Sequence, residues 1–365
     1  MRPSILRRCS AAIAVACASL LCLQSPAHGR ITPERLYNPV GRPIPVVVEV
    51  PEDATGEIEI RLLRPRSGEP VATAVATRGR ADLASLFPVL HDARALPAGA
   101  RVLYAQVFAG GRAVGPALVL QPMVPPERAG LIDPATLRPT SNPAVGELMF
   151  DDERRVREAA RRGSPLPPTP RPLSGWRAYV DRHVVLETSE GIVEVRLRPD
   201  AAPNTAWWFL HLAENGFYDG APFHRVVPRL ADGTPFLVQF GDPTGTGLGG
   251  AGQWQDLERS SLEHGFGVLG AARFGEPDSW NGQVFIGLGR RGTASLDRGY
   301  AAFAEAVAGA STIQAIADRE TDADDRPLEM PVIERVLVVD APPRGSGPEP
   351  LAEPRPSRPE ERPVR

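Results

Sequence analysis

Short runs of alternating apolar and polar residues, each ended by turn residues, recur along most of this chain. In the segment HVVLETSEGIVEVRL, Val193, Val195 and Leu197 alternate with Glu194 and Arg196, and the intervening SEG provides a turn. Because successive side chains of a strand point to opposite faces, this period of two predicts a β-hairpin with one buried face. The recurrence of such runs predicts a mainly β protein.

Two segments between residues 176 and 341 have helical spacing instead. In PNTAWWFLHLAENGFY, which has Asn204 or Thr205 as a cap and ends at Asn215, the apolar residues recur at Ala206, Phe209, Leu210 and Ala213. The second is STIQAIADRE, before the strand-like VIERVLVV. Amphipathic strands that outnumber helices in this way predict a closed or nearly closed barrel with a helix at each end.

A different pattern fills residues 30–122. Five short strand-like runs, IPVVVEV, GEIEIRLL, VATAVAT, RVLYAQVFAG and PALVLQP, are separated by Gly, Pro and Asp. This spacing is typical of a small β-sandwich of the immunoglobulin or fibronectin type III kind, and it predicts a separate domain before the barrel. The segment contains no cluster of catalytic side chains.

Eighteen of the 40 prolines lie in the two segments between and after these regions, residues 123–175 and 342–365. Residues 123–175 are Pro-rich and predict a linker with one short polar helix, DDERRVREAARRG, which starts acidic, ends basic and stops at Gly163. The barrel domain is expected over residues 176–341. Residues 342–365 have too few apolar side chains to bury a core and predict a disordered tail.

Residues 1–29 have the composition of an export signal. A basic start is followed by the apolar run AAIAVACASLLCL, which is too short to span a bilayer, and by small residues suited to cleavage. The segment also holds all three cysteines, Cys9, Cys17 and Cys22. The mature chain is expected in the periplasm or outside the cell, without thiols or disulfides. A lipid anchor on Cys17 or Cys22 is disfavoured because Leu21 is bulky where a small residue is expected.

The charge composition excludes several classes of function. With 41 basic and 44 acidic residues the net charge is -3, which gives no basic surface for nucleic acid or for an anionic membrane. After the signal-like segment no run is apolar enough to cross a membrane. All 41 basic residues are arginine, so a lysine Schiff base or lysine general base is excluded. The sequence indicates no oligomeric state.

Four consecutive motifs in the C-terminal half form one recognisable set: FYDGAPFHRVVP, PFLVQFGDPTGTG, LEHGFGVLGAARFGEPDSWNGQVFIGL and LDRGYAAFAEAV. Together they resemble the cyclophilin family of peptidyl-prolyl cis-trans isomerases, especially its exported bacterial members. The resemblance covers residues 176–341 and leaves out the sandwich, linker and tail. It implies an eight-stranded barrel capped by two helices, a groove on its outer wall, polypeptides with Xaa-Pro bonds as substrates, and no cofactor.

The resemblance also implies roles for individual residues. It places Arg225 at the catalytic arginine, with Gln239 as the glutamine beside it. The residues that it implies to bind substrate are His224, Phe236, Leu237, Gly245, Ala272, Arg273, Gln283, Phe285, Leu296 and Tyr300. The apolar and aromatic side chains among these would form a proline pocket. Gln239 and Gln283 would hold the substrate backbone, and the backbone of Ala272 and Arg273 would pair with it.

The physical chemistry of the reaction agrees with such a site. Rotation about a peptide bond has a barrier of about 18–20 kcal/mol, and an Xaa-Pro bond isomerises in tens to hundreds of seconds. In the twisted state the proline nitrogen regains a lone pair, so a donor aimed at it favours the transition state over the planar ground states. The guanidinium of Arg225 stays protonated and is such a donor, and a partner such as Gln239 can hold its rigid fork while another N–H faces the substrate.

Some features leave other interpretations open. The segment at residues 229–234 is longer than the usual connection and is expected to border the groove, and Ser295 stands where many relatives have Trp, which predicts weak binding of the family's cyclic-peptide immunosuppressant. A weakly catalytic or non-catalytic proline-peptide-binding module is therefore the alternative. A metal site at His211, His224 and His264 is disfavoured because they lack ligand-like spacing with carboxylates.

Overall fold

The structure, a computed structural model, describes residues 29–91, 102–164 and 172–354. The strands of the first part are β1 (Arg30–Pro33), β2 (Tyr37–Pro39), β3 (Pro45–Glu49), β4 (Ile58–Leu63), β5 (Pro70–Val75), β6 (Gly79–Asp82), β7 (Leu103–Ala109) and β8 (Arg112–Met123). A short helix, α1 (Leu83–Leu86), follows β6. These elements confirm the additional β domain that the sequence predicts before the barrel.

Two sheets face each other in this domain. The smaller has the order β1-β3-β6, and the larger has the order β2-β12-β8-β7-β4-β5, where β12 is Gly175–Val180. Their facing side chains share one core, which includes Ile31, Val46, Val48, Ile60, Leu62, Leu118, Leu120 and Trp176. The alternating runs thus bury one face of each sheet between the two layers.

The strand β12 corrects the predicted start of the barrel domain at residue 176. It pairs with β8 on one side and β2 on the other, and Trp176 donates a 2.8 Å hydrogen bond from Nε1 to the carbonyl oxygen of Leu90. Alternation in the sequence identifies a strand and its buried face, but it does not identify the sheet that the strand joins. The sandwich domain therefore ends only at Val180.

The segment predicted as a linker, residues 123–175, also differs from expectation over its described residues 123–164 and 172–175; residues 165–171 lie outside the described part. It contains the small sheet β10-β9-β11, formed by β9 (Ala129–Asp133), β10 (Arg138–Pro139) and β11 (Glu147–Phe150), and the predicted helix, α2 (Asp151–Arg161). Phe150 is buried in the barrel core, and the guanidinium of Arg259 lies 4.3 Å from its ring centre. The segment is folded against the barrel because Phe150 supplies the buried apolar contact that a linker lacks.

The C-terminal half forms the predicted barrel. Its elements are β13 (Arg182–Thr188), β14 (Gly191–Leu197), α3 (Pro203–Glu214), β15 (Arg225–Arg229), β16 (Pro235–Phe240), β17 (Val268–Arg273), β18 (Trp280–Gly287), α4 (Arg290–Thr293), β19 (Ala302–Ala308), α5 (Ala310–Ala317) and β20 (Ile333–Asp340). The eight strands have the order β15-β16-β18-β17-β19-β14-β13-β20. Backbone contacts close the two ends, with Pro222 bridging Val332 and the Phe223 N–H donating to the carbonyl of Pro331.

The two long helices of this half cover the barrel, as the sequence predicts, but the start of α3 differs. Neither Asn204 nor Thr205 is its N-cap, because the helix begins at Pro203 after Ala202. The carboxylate of Glu258 instead accepts hydrogen bonds of 2.9 Å from the backbone N–H groups of Asn204 and Thr205. A side chain distant in sequence thus satisfies donors that a helix start leaves free.

The tail predicted as disordered is ordered over residues 342–354, where it contacts first the sandwich and then the barrel. Arg344 lies over the Tyr104 ring at 4.0 Å and donates from its backbone N–H to the side chain of Gln106. Leu351 packs against the barrel core and donates its N–H to the carbonyl of Ala306. A few anchoring contacts are therefore enough to order a segment of low apolar content.

The rest of that prediction, residues 355–365, lies outside the described residues, as does the predicted signal up to residue 28. In the described part of the chain, no helix has the length and apolar character needed to cross a membrane.

Candidate active site

Arg225 is the first residue of β15, and it lies opposite Gln239 in the antiparallel register with β16. Its side chain is 42% exposed, and its Nη2 lies 3.4 Å from Oδ2 of Asp325. Gln239 is the partner expected from the sequence to hold this guanidinium, whereas the hydrogen bond of the guanidinium goes to Asp325. A strand edge thus fixes the base of the arginine, and a loop carboxylate contacts its tip.

The two glutamines form a chain of amide hydrogen bonds next to Arg225. Gln239 donates from Nε2 to Oε1 of Gln283 at 2.7 Å. Gln283 donates from its own Nε2 to the carbonyl oxygens of Gly247 at 3.0 Å and Gly249 at 2.8 Å. The amides therefore tie strands β16 and β18 to the Gly-rich loop that follows β16.

His224 lies beneath this groove with only 6% of its surface exposed. Neither ring nitrogen has a hydrogen bond of good geometry within the described residues. Burial lowers the pKa of His224 below its ordinary value, and the nearby carboxylate of Asp242 opposes that shift only in part. The ring is therefore neutral at pH 7 and contributes shape and polarity, not charge.

The apolar residues predicted for a proline pocket come together beside Arg225. Val227, Leu237, Ala272 and Phe285 form a buried cluster, and Phe236, Leu296 and Tyr300 pack against it. The Phe285 ring meets Tyr300 edge-on at 5.8 Å and stacks on His264 at 5.3 Å. His264 is a neighbour that sequence reasoning missed, having been weighed only as a metal ligand; its Nδ1 lies 2.9 Å from Oδ1 of Asp297.

A cavity of about 570 Å³ opens between the arginine and the glutamines. Six residues predicted from the sequence line it: His224, Arg225, Gln239, Ala272, Arg273 and Gln283. Sequence reasoning missed the other six, which are Thr246, Gly247, Phe274, Asp322, Asp324 and Arg326. The acidic run around Asp322 has no alternation that would place it in the fold, so only its concentration of charge could have drawn notice.

Two of the predicted residues serve mainly to hold loops. Gly245 is adjacent to the cavity lining, at a positive φ of 66°, and its carbonyl accepts a 2.7 Å hydrogen bond from Nη2 of Arg326. The Arg273 side chain donates from Nε to the carbonyl of Gly299 at 2.8 Å and lies 4.7 Å from the Tyr300 ring centre. The Arg273 side chain is thereby held against the segment that carries Gly299 and Tyr300.

The extra segment at residues 229–234 forms the turn between β15 and β16. It is closed by the Leu230 N–H donating to the carbonyl of Thr234 and by Arg229 Nη1 donating to the carbonyl of Gly233, both at 2.9 Å. None of its residues is among those that line the cavity. Ser295 is exposed in a short 3₁₀ turn, directly before the pocket residue Leu296.

Comparisons with known proteins agree on the barrel. A family model described as cyclophilin type peptidyl-prolyl cis-trans isomerase matches residues 183–338. "Peptidyl-prolyl cis-trans isomerase ppi1" of Schizosaccharomyces pombe is 39% identical over 152 residues, which are 40% of this chain and 92% of that protein. "Peptidyl-prolyl cis-trans isomerase-like 1" of Emericella nidulans is 38% identical over 163 residues, 43% of this chain and 95% of that protein.

A solved structure of a Cryptosporidium parvum cyclophilin type peptidyl-prolyl cis-trans isomerase, in the presence of the dipeptide ala-pro, is 26% identical to this chain. The aligned region covers 43% of this chain and 98% of the Cryptosporidium parvum chain, with a TM-score of 0.39. The two curated relatives are fungal proteins, and they match the barrel without the sandwich. With motifs, barrel topology and near-complete coverage of these relatives in agreement, the chain belongs, through residues 183–338, to the family of cyclophilin-type peptidyl-prolyl cis-trans isomerases.

Proposed function

We propose that this chain isomerises Xaa-Pro bonds of polypeptides in the groove beside Arg225, and that it thereby assists protein folding outside the cytoplasm. One observation carries the catalytic part of the proposal. Arg225, at the start of β15, lies next to an apolar cluster that includes Leu237 and Phe285. Phe236 packs against this cluster. This arrangement suits a proline ring and a donor to its nitrogen at the same time.

In the proposed mechanism no covalent bond is made or broken. The substrate proline enters the apolar cluster, which holds the ring while the preceding carbonyl rotates. As the peptide bond leaves planarity, the proline nitrogen becomes a hydrogen-bond acceptor and Arg225 donates to it. The same apolar walls remove water that would otherwise solvate the planar amide dipole.

Typical interaction energies indicate how much of the rate acceleration each of these two effects supplies. A hydrogen bond to a charged group contributes about 1.5–3 kcal/mol net. Since each 1.36 kcal/mol is about a factor of ten in rate, Arg225 accounts for roughly one to two orders of magnitude. Exclusion of water and the positioning of the ring supply the remainder.

A chymotrypsin-coupled assay on a short Ala-Pro-Phe peptide tests this proposal. The wild-type chain should exceed the uncatalysed rate, and Arg225→Ala should lower kcat/KM by roughly 10- to 100-fold. Arg229→Ala is the matched control, because Arg229 lies on the same strand and is exposed, with its guanidinium bonded to the turn carbonyl of Gly233. This control should retain the wild-type rate.

Two other results would decide against catalysis by Arg225. Wild-type and Arg225→Ala rates that both coincide with the uncatalysed rate would refute isomerisation. If the chain then still bound Xaa-Pro peptides, the proline-peptide-binding module would be the better description.

The proposed location outside the cytoplasm is supported by the N-terminal sequence: a basic start, a short apolar run and small residues before Arg30. Expression of the full chain in a Gram-negative host, followed by fractionation and N-terminal sequencing, tests this part. The expected result is a periplasmic protein that starts near Arg30. An uncleaved chain retained in the cytosol would contradict it.

A further inference from the structure

The segment between α5 and β20 places three aspartates against the start of β15. Residues 321–327, called here the acidic turn, contain Asp322, Asp324 and Asp325. Asp322 and Asp324 line the groove cavity, and Asp325 contacts Arg225. The turn therefore lies at the proposed catalytic arginine, although it is 100 residues away along the chain.

Several hydrogen bonds fix the shape of the acidic turn. Thr321 bridges Pro327, and Oδ1 of Asp322 accepts from the N–H groups of Asp324 at 2.9 Å and Arg326 at 3.0 Å. Arg326 also reaches across to the carbonyl of Gly245, on the other side of the cavity. The turn is thus anchored at its base, within itself and to the facing loop.

Asp325 has an unusual backbone conformation within this turn. Its φ is +63°, in the left-handed region that non-glycine residues rarely adopt and that Asp and Asn tolerate best. Its carbonyl oxygen accepts a 2.8 Å hydrogen bond from the N–H of Val226, the residue after Arg225. The backbone of Asp325 is therefore docked on the same strand edge that carries the arginine, and its carboxylate is directed to the guanidinium.

We propose that Asp325 is a positioning residue for Arg225: it holds one edge of the guanidinium so that the remaining N–H donors face the groove. Gln239 does not occupy this role: its Nε2 donates to Gln283, and in the described part of the chain no hydrogen bond joins its Oε1 to the guanidinium, which bonds to Asp325. An arginine side chain that is free to rotate spends little time aimed at one point, so a fixed partner raises the fraction that is ready for the transition state. This inference rests on the isomerase activity proposed above.

The effect should appear in kcat and not in KM. Asp325 does not line the cavity, and ground-state binding of the proline depends on the apolar cluster around Phe285. The donor to the twisted nitrogen is needed only in the transition state, so its orientation changes the rate of the bound complex. A residue that merely stabilised the fold would not produce this split.

Two substitutions at Asp325 test the proposal without forcing the backbone, since both Asn and Gly accept a positive φ. Asp325→Asn keeps a weaker acceptor, and Asp325→Gly removes the side chain. We expect kcat to fall on the order of threefold for Asn and tenfold for Gly, with KM within about twofold of wild type. Glu329→Gln, which neutralises an 89% exposed carboxylate in the same connection, is the control and should leave kcat unchanged.

The decisive experiment repeats Asp325→Asn and Asp325→Gly in the Arg225→Ala background. If Asp325 acts through Arg225, neither should lower kcat further there. Equal losses in both backgrounds, or Asp325 variants that match an active wild type, would overturn the positioning role while leaving the isomerase intact. A wild-type chain without catalysis would overturn the proposed function itself and this inference with it.

Discussion

Gln239 lies directly opposite Arg225 in the β15–β16 pair, yet its amide donates to Gln283 at 2.7 Å and the guanidinium is left to Asp325. The two polar groups that flank the groove therefore have different side-chain partners, although Arg326 ties the acidic turn to the same Gly-rich loop. One set of contacts links strands to the Gly-rich loop, and the other links β15 to the acidic turn. Each can be disturbed without removing the other.

Gln283→Leu should loosen the Gly-rich loop. The substitution removes the donor to the carbonyls of Gly247 and Gly249 and the acceptor for Gln239, at a cost of about 1–3 kcal/mol in the free energy of unfolding. Faster amide hydrogen exchange in residues 246–250 is the measurement. Gln314→Leu on the exposed side of α5 is the control, and unchanged exchange in the loop would contradict the anchoring role.

Gly270→Ala should displace the aromatic wall of the pocket. A Cβ at Gly270 would lie 2.2 Å from Cζ of Phe285, so the ring would have to move. Overpacking of this kind costs about 1–3 kcal/mol, and a shifted Phe285 should also raise KM for a proline peptide. Denaturant unfolding and steady-state kinetics measure the two effects. Gly275→Ala, where a Cβ meets no atom within 4 Å, should change neither.

Asp242 should make stability depend on pH at the acid end. Burial alone would raise its pKa, but hydrogen bonds from the side chain of Thr244 and from the backbone of Thr244, Gly247 and Gly249 outweigh it and lower the pKa well below the ordinary value. The unfolded chain then binds more protons than the folded chain below about pH 4, so this stabilisation is complete above that pH and is lost as pH falls.

Urea unfolding of the wild type and Asp242→Asn at a series of pH values measures this contribution. The wild type should be the more stable protein at pH 7, and the difference should shrink as the pH is lowered below about 4. A difference that stayed constant across the series would show that the carboxylate charge is not responsible.

Glu258→Ala should weaken the start of α3. The carboxylate accepts from two backbone N–H groups, and also from the hydroxyl of Thr205 at 3.1 Å. Loss of a helix cap costs about 0.5–2 kcal/mol, and this should appear as a lower urea midpoint. Glu263→Ala, at a carboxylate that is 76% exposed, is the matched control. Equal midpoints for the two variants would rule out a capping role for Glu258.

The elements that the sequence predicted well are those that depend on local pattern. Alternation of apolar and polar residues identified the barrel strands. The resemblance of the motifs to the cyclophilin family pointed to Arg225 and Gln239, which lie opposite each other, and to residues that pack in the apolar cluster around Phe285. The missed contacts come from loops without periodicity. Asp325 reaches Arg225 and Glu258 reaches the start of α3 only because the barrel brings distant segments together, and no local spacing encodes that proximity.

The tail shows the same limit of local sequence patterns, because here the sequence predicted too little order. Its composition predicted disorder because it offers few apolar side chains for a core. Composition sums over a segment, whereas Leu351 packs against the barrel and Arg344 lies over Tyr104 through single well-placed contacts. The average composition of a segment does not show one or two anchoring residues of this kind.

The late strand β12 has a consequence for a chain that emerges with its N-terminus first, whether from the ribosome or from an export channel. Strand β8 has β7 on one side and β12 on the other, so one edge of the large sheet is left open until residues 175–180 emerge. During that interval the space for Trp176 is unfilled and the backbone of β8 offers a free edge to other chains. The sandwich can therefore be completed only when the residues just before the barrel have emerged, which couples the maturation of the two domains in time.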